Sequence, residues 1–374
     1  WLVSKLFWIQ FFQGAGVAFF FTSAYASFLN DHNVADLSIV YIYTALALWL
    51  TGFIYGKLEH KYHIADFSRY IVVFMAASIL LIRVFGYSIP IPGFDYFILI
   101  WFNVLYLLSN LEFWGIAALV FEVRQSKRLF SIISAGDIPA KFIGYSIASL
   151  VVPYVGTANL LIPSCLCILV SLPFLNRIIK SGTLHDQVEK HGLHTHKHHE
   201  KMVGTFVKKF TTNKLILWLA VLSFIMSVCI VVANFSFYSK IKEAYHSDVE
   251  LAVFIGSFLA VIRICALLVK LLLTSRLIAS LGVKRSLLFT PVIFAGCIIL
   301  VIILRYVFHR DEAVLYMFGA ACIVLDVLKT AVNSPVFLSI MQPLGVHDRL
   351  RSHNIVKGIM DPFAYLFSGI FLFE

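Results

Sequence analysis

Seven ionisable side chains fall inside long apolar runs of this chain: Glu112, Asp137, Lys141, Arg263, Lys270, Asp326 and Lys329. A charge in such a run is costly unless it faces a partner or a watery cavity, so each is a candidate for chemistry. Lys141, Arg263 and Lys329 suit the anionic group of a bound solute, and Glu112 and Asp326 suit the carriage of a proton or a small cation. Gln10, Gln13, Asn103, Asn110 and Asn234 add neutral hydrogen-bonding groups to the same runs.

Local pairing offers a plainer account of some of them. Asp137 and Lys141 are four residues apart, hence on one face of a helix, and can neutralise each other. Asp326 and Lys329, three apart, can do likewise, and Lys270, near the end of its run, can snorkel to the interface. Glu112 and Arg263 have no partner at helical spacing, which leaves a cross-helix pair or a solute contact for each.

A second kind of chemistry is suggested by the polar island from Leu184 to Lys214, where His194, His196, His198 and His199 are close enough in sequence to hold a metal. The island lacks the apolar residues that would fix four ligands around one point, so a solvated connector is the reading preferred over a metal site. Its end, VGTFVKKFTTNK, mixes apolar and basic residues and suits an interfacial helix on an anionic leaflet. The six cysteines lie in apolar runs at spacings that fit neither zinc nor a disulfide framework. No phosphate-cradling Gly-rich loop, nucleophile elbow or metal-protease helix is present, so no enzyme activity and no cofactor are expected. The net charge of +10 is spread over short loops rather than on a stripe with stacking aromatics, which argues against a nucleic-acid partner.

The elements that position these groups follow from composition. Of 374 residues, 60% are apolar and 13% charged, with a mean hydropathy of +0.89. Helix after helix is apolar on every side, so the bilayer is the solvent. Eleven spans of about the length that crosses ~30 Å of hydrocarbon are expected, at 5–29, 35–55, 70–87, 94–121, 129–152, 158–175, 215–238, 251–273, 286–307, 313–332 and 355–373. None shows the alternation of a barrel strand. The chain opens at Trp1 and stops at Glu374 within an apolar run, so a longer protein with a twelfth span is expected.

Lys and Arg crowd the loops after even-numbered spans, and Asp and Glu the others, which places the amino terminus and the His-rich island in the cytoplasm of a multi-pass inner-membrane protein. The island divides the chain into a six-span half, 1–180, a connector, 181–213, and a second half, 214–374. GKLEHKYHIADFSRY after span 2 and SRLIASLGVKRSLLF after span 8 are both basic turns leading into an apolar helix, six spans apart. Six spans, a polar connector and related spans beyond it form the pattern of a transporter built from parallel repeats.

Both turns resemble degenerate copies of the major facilitator loop motif, with Gly56 and Leu58 matching in the first and Leu277, Gly282 and Lys284 in the second. QSKRLFSIISAGDIPAKFIGY, from Gln125 to Tyr145, and KTAVNSPVFLSIMQPLGVHDRLRSHNIVKGIMDP, from Lys329 to Pro362, resemble the ATP/ADP nucleotide transporter family and its bacterial relatives with appended helical-repeat domains. The tail has Phe337 and Leu338 where those transporters carry a Lys-Glu pair. The resemblance implies an all-α membrane bundle of two pseudo-symmetric six-helix halves in which spans 1, 4, 7 and 10 line a central cavity. It also implies alternating-access transport of a small anionic solute, a nucleotide or another organic anion, by symport or antiport. Gln10 and Gln13 then lie in span 1, Asn103, Asn110 and Glu112 in span 4, Asn234 in span 7, and Asp326 and Lys329 in span 10. The alternative is a membrane-embedded sensor or anchor module of a larger protein, without transport.

Overall fold

The computed structural model describes residues 2–59, 62, 64–86, 92–120, 136–180, 214–273, 311–333 and 359–373, with scattered residues between 276 and 303. Among the described residues ten helices follow in chain order: α1 Leu2–Asp31, α2 Leu37–Glu59, α3 Ile64–Leu81, α4 Phe94–Val120, α5 Asp137–Val155, α6 Leu161–Lys180, α7 Lys214–Ala244, α8 Asp248–Leu272, α9 Asp311–Leu328 and α10 Asp361–Phe373. No strand occurs among the described residues. Eight of these helices, α1 to α8, are long and apolar enough to cross a membrane.

The expected spans therefore coincide with helices, mostly extended by a turn at one or both ends. The ninth expected span is represented by helical residues at 292, 293, 295–300, 302 and 303. The start of the fifth, the start of the eleventh, the connector and its histidines His194, His196, His198 and His199 lie outside the described residues. So do most of both family-like segments, 125–135 and 334–358.

Local chemistry sets the helix ends. Asn33 and Asp36 form a capping box before α2, with Asn33 N–H donating to Asp36 Oδ2 at 3.1 Å. Ser247 caps α8 by accepting from the Glu250 N–H at 3.2 Å. Gly156, at φ 80°, closes α5 by turning the chain sharply into α6, a backbone angle that other residues rarely adopt. Two helices end in π-helical turns, α3 through Ile82–Gly86 and α9 through Lys329–Asn333.

The faces turned away from the bundle are apolar. Ile143, Ile147, Leu150 and Tyr154 form an exposed stripe along α5, and Tyr43, Leu46, Leu50 and Phe53 form another along α2. Stripes of this size face lipid in a membrane protein, where apolar exposure carries no penalty.

Inside, α1 packs on α4, α5 and α6, and α3 packs on α6. Polar clasps fix this first group. Arg69 donates to Asn176 at 2.7 Å, Arg83 donates to Asn159 at 3.0 Å, and Ser164 donates to the Gly16 carbonyl at 2.7 Å. In the second group α7 packs on α9 and α10, and α8 on α9. Ser227 on α7 donates to Asp361 on α10 at 2.7 Å.

The two groups meet along two main seams, α5 with α8 and α2 with α10. Counted as spans, these are 5 with 8 and 2 with 11, and an exchange of spans six apart turns one seam into the other. Both rest on close backbone approach. A Cβ on Gly256 would lie 3.0 Å from the Tyr145 carbonyl oxygen, and one on Gly369 would lie 2.8 Å from the Ser38 carbonyl oxygen. In a bilayer, where helix association relies on packing rather than on a hydrophobic drive, glycine lets van der Waals contact develop along the whole seam.

Candidate functional site

The charged candidates come together at the α5–α8 seam. On α5, Lys141 Nζ lies 2.9 Å from Asp137 Oδ2, one helical turn away, and 5.0 Å from the centre of the Tyr106 ring on α4. On α8, Arg263 Nη2 lies 2.6 Å from Asp326 Oδ2 of α9, and its Nη1 is 3.4 Å from Thr330 Oγ1. The two pairs belong to the two packed groups and act on each other: Asp137 and Arg263 both lie within electrostatic range of Lys141. Tyr145, buried one turn beyond Lys141, is within range of all four charges.

The cations are well sequestered, with the Lys141 side chain 9% exposed and that of Arg263 12%. Arg263 has a further donor, Nε, that is buried with no hydrogen-bond partner among the described residues. A guanidinium held by one carboxylate in this way keeps part of its donor fork for another planar acceptor.

A second cluster lies between α1 and α4. Gln13 Nε2 donates to Glu112 Oε2 at 2.9 Å, and Ser109 Oγ donates to Gln13 Oε1 at 2.9 Å. Gln13 and Glu112 are 2% and 1% exposed. Glu112 Oε1 and Gln10 Oε1 are buried without a hydrogen-bond partner among the described residues.

The remaining candidates lie on α4, α7 and the turn after α9. Asn103 and Asn110 donate to carbonyls one turn back, Leu99 at 2.9 Å and Tyr106 at 2.8 Å, so their amides serve their own helix first. Asn103 Oδ1 also lies 3.5 Å from the Tyr365 hydroxyl on α10. Asn234 is half-buried on α7, and Lys329 opens the π turn after α9.

Of the two readings held open for Asp137 and Lys141, the local ion pair is what the structure contains. Asp326 also has a partner on another helix: it reaches across to Arg263, and Lys329 begins the π turn that follows α9. Glu112 finds its partner across helices, in Gln13.

Sequence reading passed over Tyr145, Tyr106, Ser109 and Thr330. A signal existed for Tyr145, which stands at i+4 from Lys141 and hence on its face. None existed for Tyr106, whose position over Lys141 depends on how α4 crosses α5.

Aromatic rings close the bundle toward the end where α1 finishes. Tyr25 on α1 packs on Tyr238 on α7 with ring centres 5.0 Å apart, and Tyr41 on α2 faces Tyr365 on α10 at 5.7 Å. Beyond them Lys242 of α7 donates to the His32 carbonyl, and Thr157 Oγ1 donates to Asp248 Oδ2 at 2.7 Å. These contacts tie the two groups together at that end.

Among solved structures the chain is similar to a point mutant of the nucleoside transporter NupG, with a TM-score of 0.68 at 12% identity over 99% of this chain and 90% of that one. It is similar to a D-xylose-proton symporter, with a TM-score of 0.64 at 13% identity over 100% of this chain and 89% of the other. A bacterial homologue of the iron transporter ferroportin, in an inward-facing state, aligns with a TM-score of 0.62 at 15% identity over 100% of this chain and 91% of that one. At these identities the likeness establishes the fold, a major-facilitator-type helical bundle. No protein-family model matches the chain, and no curated protein matches it by sequence.

Proposed function

We propose that this chain is a secondary active transporter that moves a small solute by alternating access, its two helix groups rocking about the α5–α8 and α2–α10 seams. One observation carries the reading. Two ion pairs, Lys141 with Asp137 and Arg263 with Asp326, face each other across a seam between the groups, inside a chain otherwise apolar. Charges buried in a membrane bundle are retained where they handle a solute or an ion, and a site between two repeats is where alternating access needs it. Support also comes from the fold, shared with proteins described as transporters of nucleosides, D-xylose and iron.

The solute is a small organic anion, with a nucleotide the leading member of that class given the family-like segments. Its anionic group engages Arg263, through the donors left by Asp326, together with Lys141. Gln13, Glu112, Asn103 and Asn234 supply polar contacts or ion coupling from α1, α4 and α7. Residues 1–180 and 214–374 act as the two rocking bodies joined by 181–213, with the amino terminus and the connector on the cytoplasmic side of an inner membrane.

The test is uptake into proteoliposomes across a panel of ATP, ADP, AMP, nucleosides, inorganic phosphate and dicarboxylates. A charge-assisted hydrogen bond is worth roughly 1.5–3 kcal/mol, so Arg263→Ala should lower kcat/KM for the true solute by about 10- to 100-fold. An absence of saturable flux for every nucleotide and organic anion, or an Arg263→Ala variant indistinguishable from wild type, would sink the proposal.

A further inference from the structure

We propose that Glu112 is a proton-binding site inside the bundle, occupied in the conformation described here, and that it is the group through which solute movement is coupled to protons. The first half of the proposal stands on the α1–α4 seam alone; the second rests on the transport reading above.

An ionised carboxylate offers two oxygens and about four lone-pair positions to donors. Glu112 is 1% exposed, and its Oε2 receives one hydrogen bond, from the Gln13 amide. Its Oε1 is buried with no donor among the described residues. An anionic oxygen left bare in a low-dielectric interior is among the least favourable arrangements a protein can hold. Protonation on Oε1 removes the charge and leaves at most a hydroxyl in search of an acceptor, a much smaller loss.

Among the described residues no countercharge lies beside Glu112. The main neighbours of α4 are α1, α2 and α3, and it also meets α5, where Lys141 lies over the Tyr106 ring and pairs with Asp137, and α10, where Tyr365 reaches Asn103. Gln13 from α1 reaches Glu112 itself, and near Gly115 stands the Tyr55 hydroxyl from α2. No Lys, Arg or His among the described residues acts on Glu112, whereas Asp137 and Asp326 each hold a cation at 2.9 Å and 2.6 Å.

Donor counting agrees. Ser109 spends its hydrogen on Gln13 Oε1, which fixes the amide so that its N–H faces Glu112 Oε2. Glu112 Oε1 is then an acceptor without a donor among the described residues, and one added hydrogen on the carboxyl is the least change that relieves it. Of the two acids that sequence offers for ion coupling, Asp326 is committed to Arg263, which leaves Glu112.

The test uses the full chain reconstituted in lipid. Infrared absorption should contain a protonated-carboxyl carbonyl band that shifts in D2O and is lost in Glu112→Gln, an isosteric change checked for folding by circular dichroism. Independently, a hydrophobic carbodiimide should modify the wild-type protein at Glu112. The acid proton passes to a carbodiimide nitrogen while the carboxyl oxygen bonds to the central carbon, giving an O-acylisourea that rearranges to a stable N-acylurea found by peptide mass. At neutral pH this labelling should exceed that of Asp137 and Asp326 by at least about tenfold, since each of those carboxylates is engaged by a cation, at 2.9 Å and 2.6 Å. A spectrum unchanged by Glu112→Gln, or labelling of Glu112 no greater than that of the paired acids, would overturn the proton site. Saturable solute flux that stays the same when the proton gradient is collapsed, in a protein that keeps the band, would overturn the coupling alone. The band in a protein without any flux would overturn the transport reading and leave the proton site standing.

Discussion

The Arg263–Asp326 pair gives the sharpest quantitative expectation. At 2.6 Å and an effective dielectric constant of about 20, the gross attraction is roughly 6 kcal/mol. Desolvation offsets much of that, and removing one partner of a buried pair costs about 3–5 kcal/mol because the other charge is stranded. The Asp326 side chain is 26% exposed, and Asp137 remains within range of Arg263 as a distant countercharge, so the lower end applies. Asp326→Asn should therefore lose about 3 kcal/mol of stability, and Arg263→Gln a similar amount. The double variant should fall short of their sum by about 2 kcal/mol, since neither charge is then stranded. The assay is unfolding of the purified protein in mixed micelles with increasing dodecyl sulfate, followed by tryptophan fluorescence and circular dichroism. A coupling energy below about 0.5 kcal/mol would refute the pairing, because independent sites add to within that margin.

Two further outcomes follow from the seams. Gly256→Val should destabilise by about 1–3 kcal/mol, since even a Cβ there would meet backbone atoms of Tyr145 and Ser149 at 3.0 Å and 3.3 Å; Gly52→Ala, with nothing within 4 Å, should be neutral or stabilise by up to about 1 kcal/mol in the same assay. Thr157→Cys combined with Asp248→Cys should be joined by a short thiol cross-linker, because the native side chains are 2.7 Å apart; gel mobility after cleavage of residues 181–213 reads the result, and two separate fragments would contradict the clasp.

The bundle was largely legible because hydropathy responds to the bilayer, and no tertiary detail is needed to find a run such as Phe94–Val120. What hydropathy leaves out is how helices cross. The Asp137–Lys141 pair could be read from spacing alone, because both residues ride on one helix. The partner of Arg263 could not, for Asp326 lies 63 positions away and is brought near only by the packing of α8 on α9. Gln13 and Glu112 were singled out separately as polar groups in greasy runs, and only the α1–α4 crossing shows that they are one cluster. The π turn at Lys329–Asn333 was invisible for another reason: an extra residue in a turn leaves composition unchanged while rotating everything after it.

The four charges at the α5–α8 seam also govern how the protein meets a membrane potential. Each elementary charge carried across 100 mV is worth about 2.3 kcal/mol. Lys141, Asp137, Arg263 and Asp326 form two neutral pairs, so if the groups rock as proposed, a motion that carries these four together moves no net charge of theirs through the field. Under the transport reading proposed above, these four charges add nothing to a current measured across a bilayer containing the protein, and the sign of that current reports the solute, its coupling ion and the other charges that move.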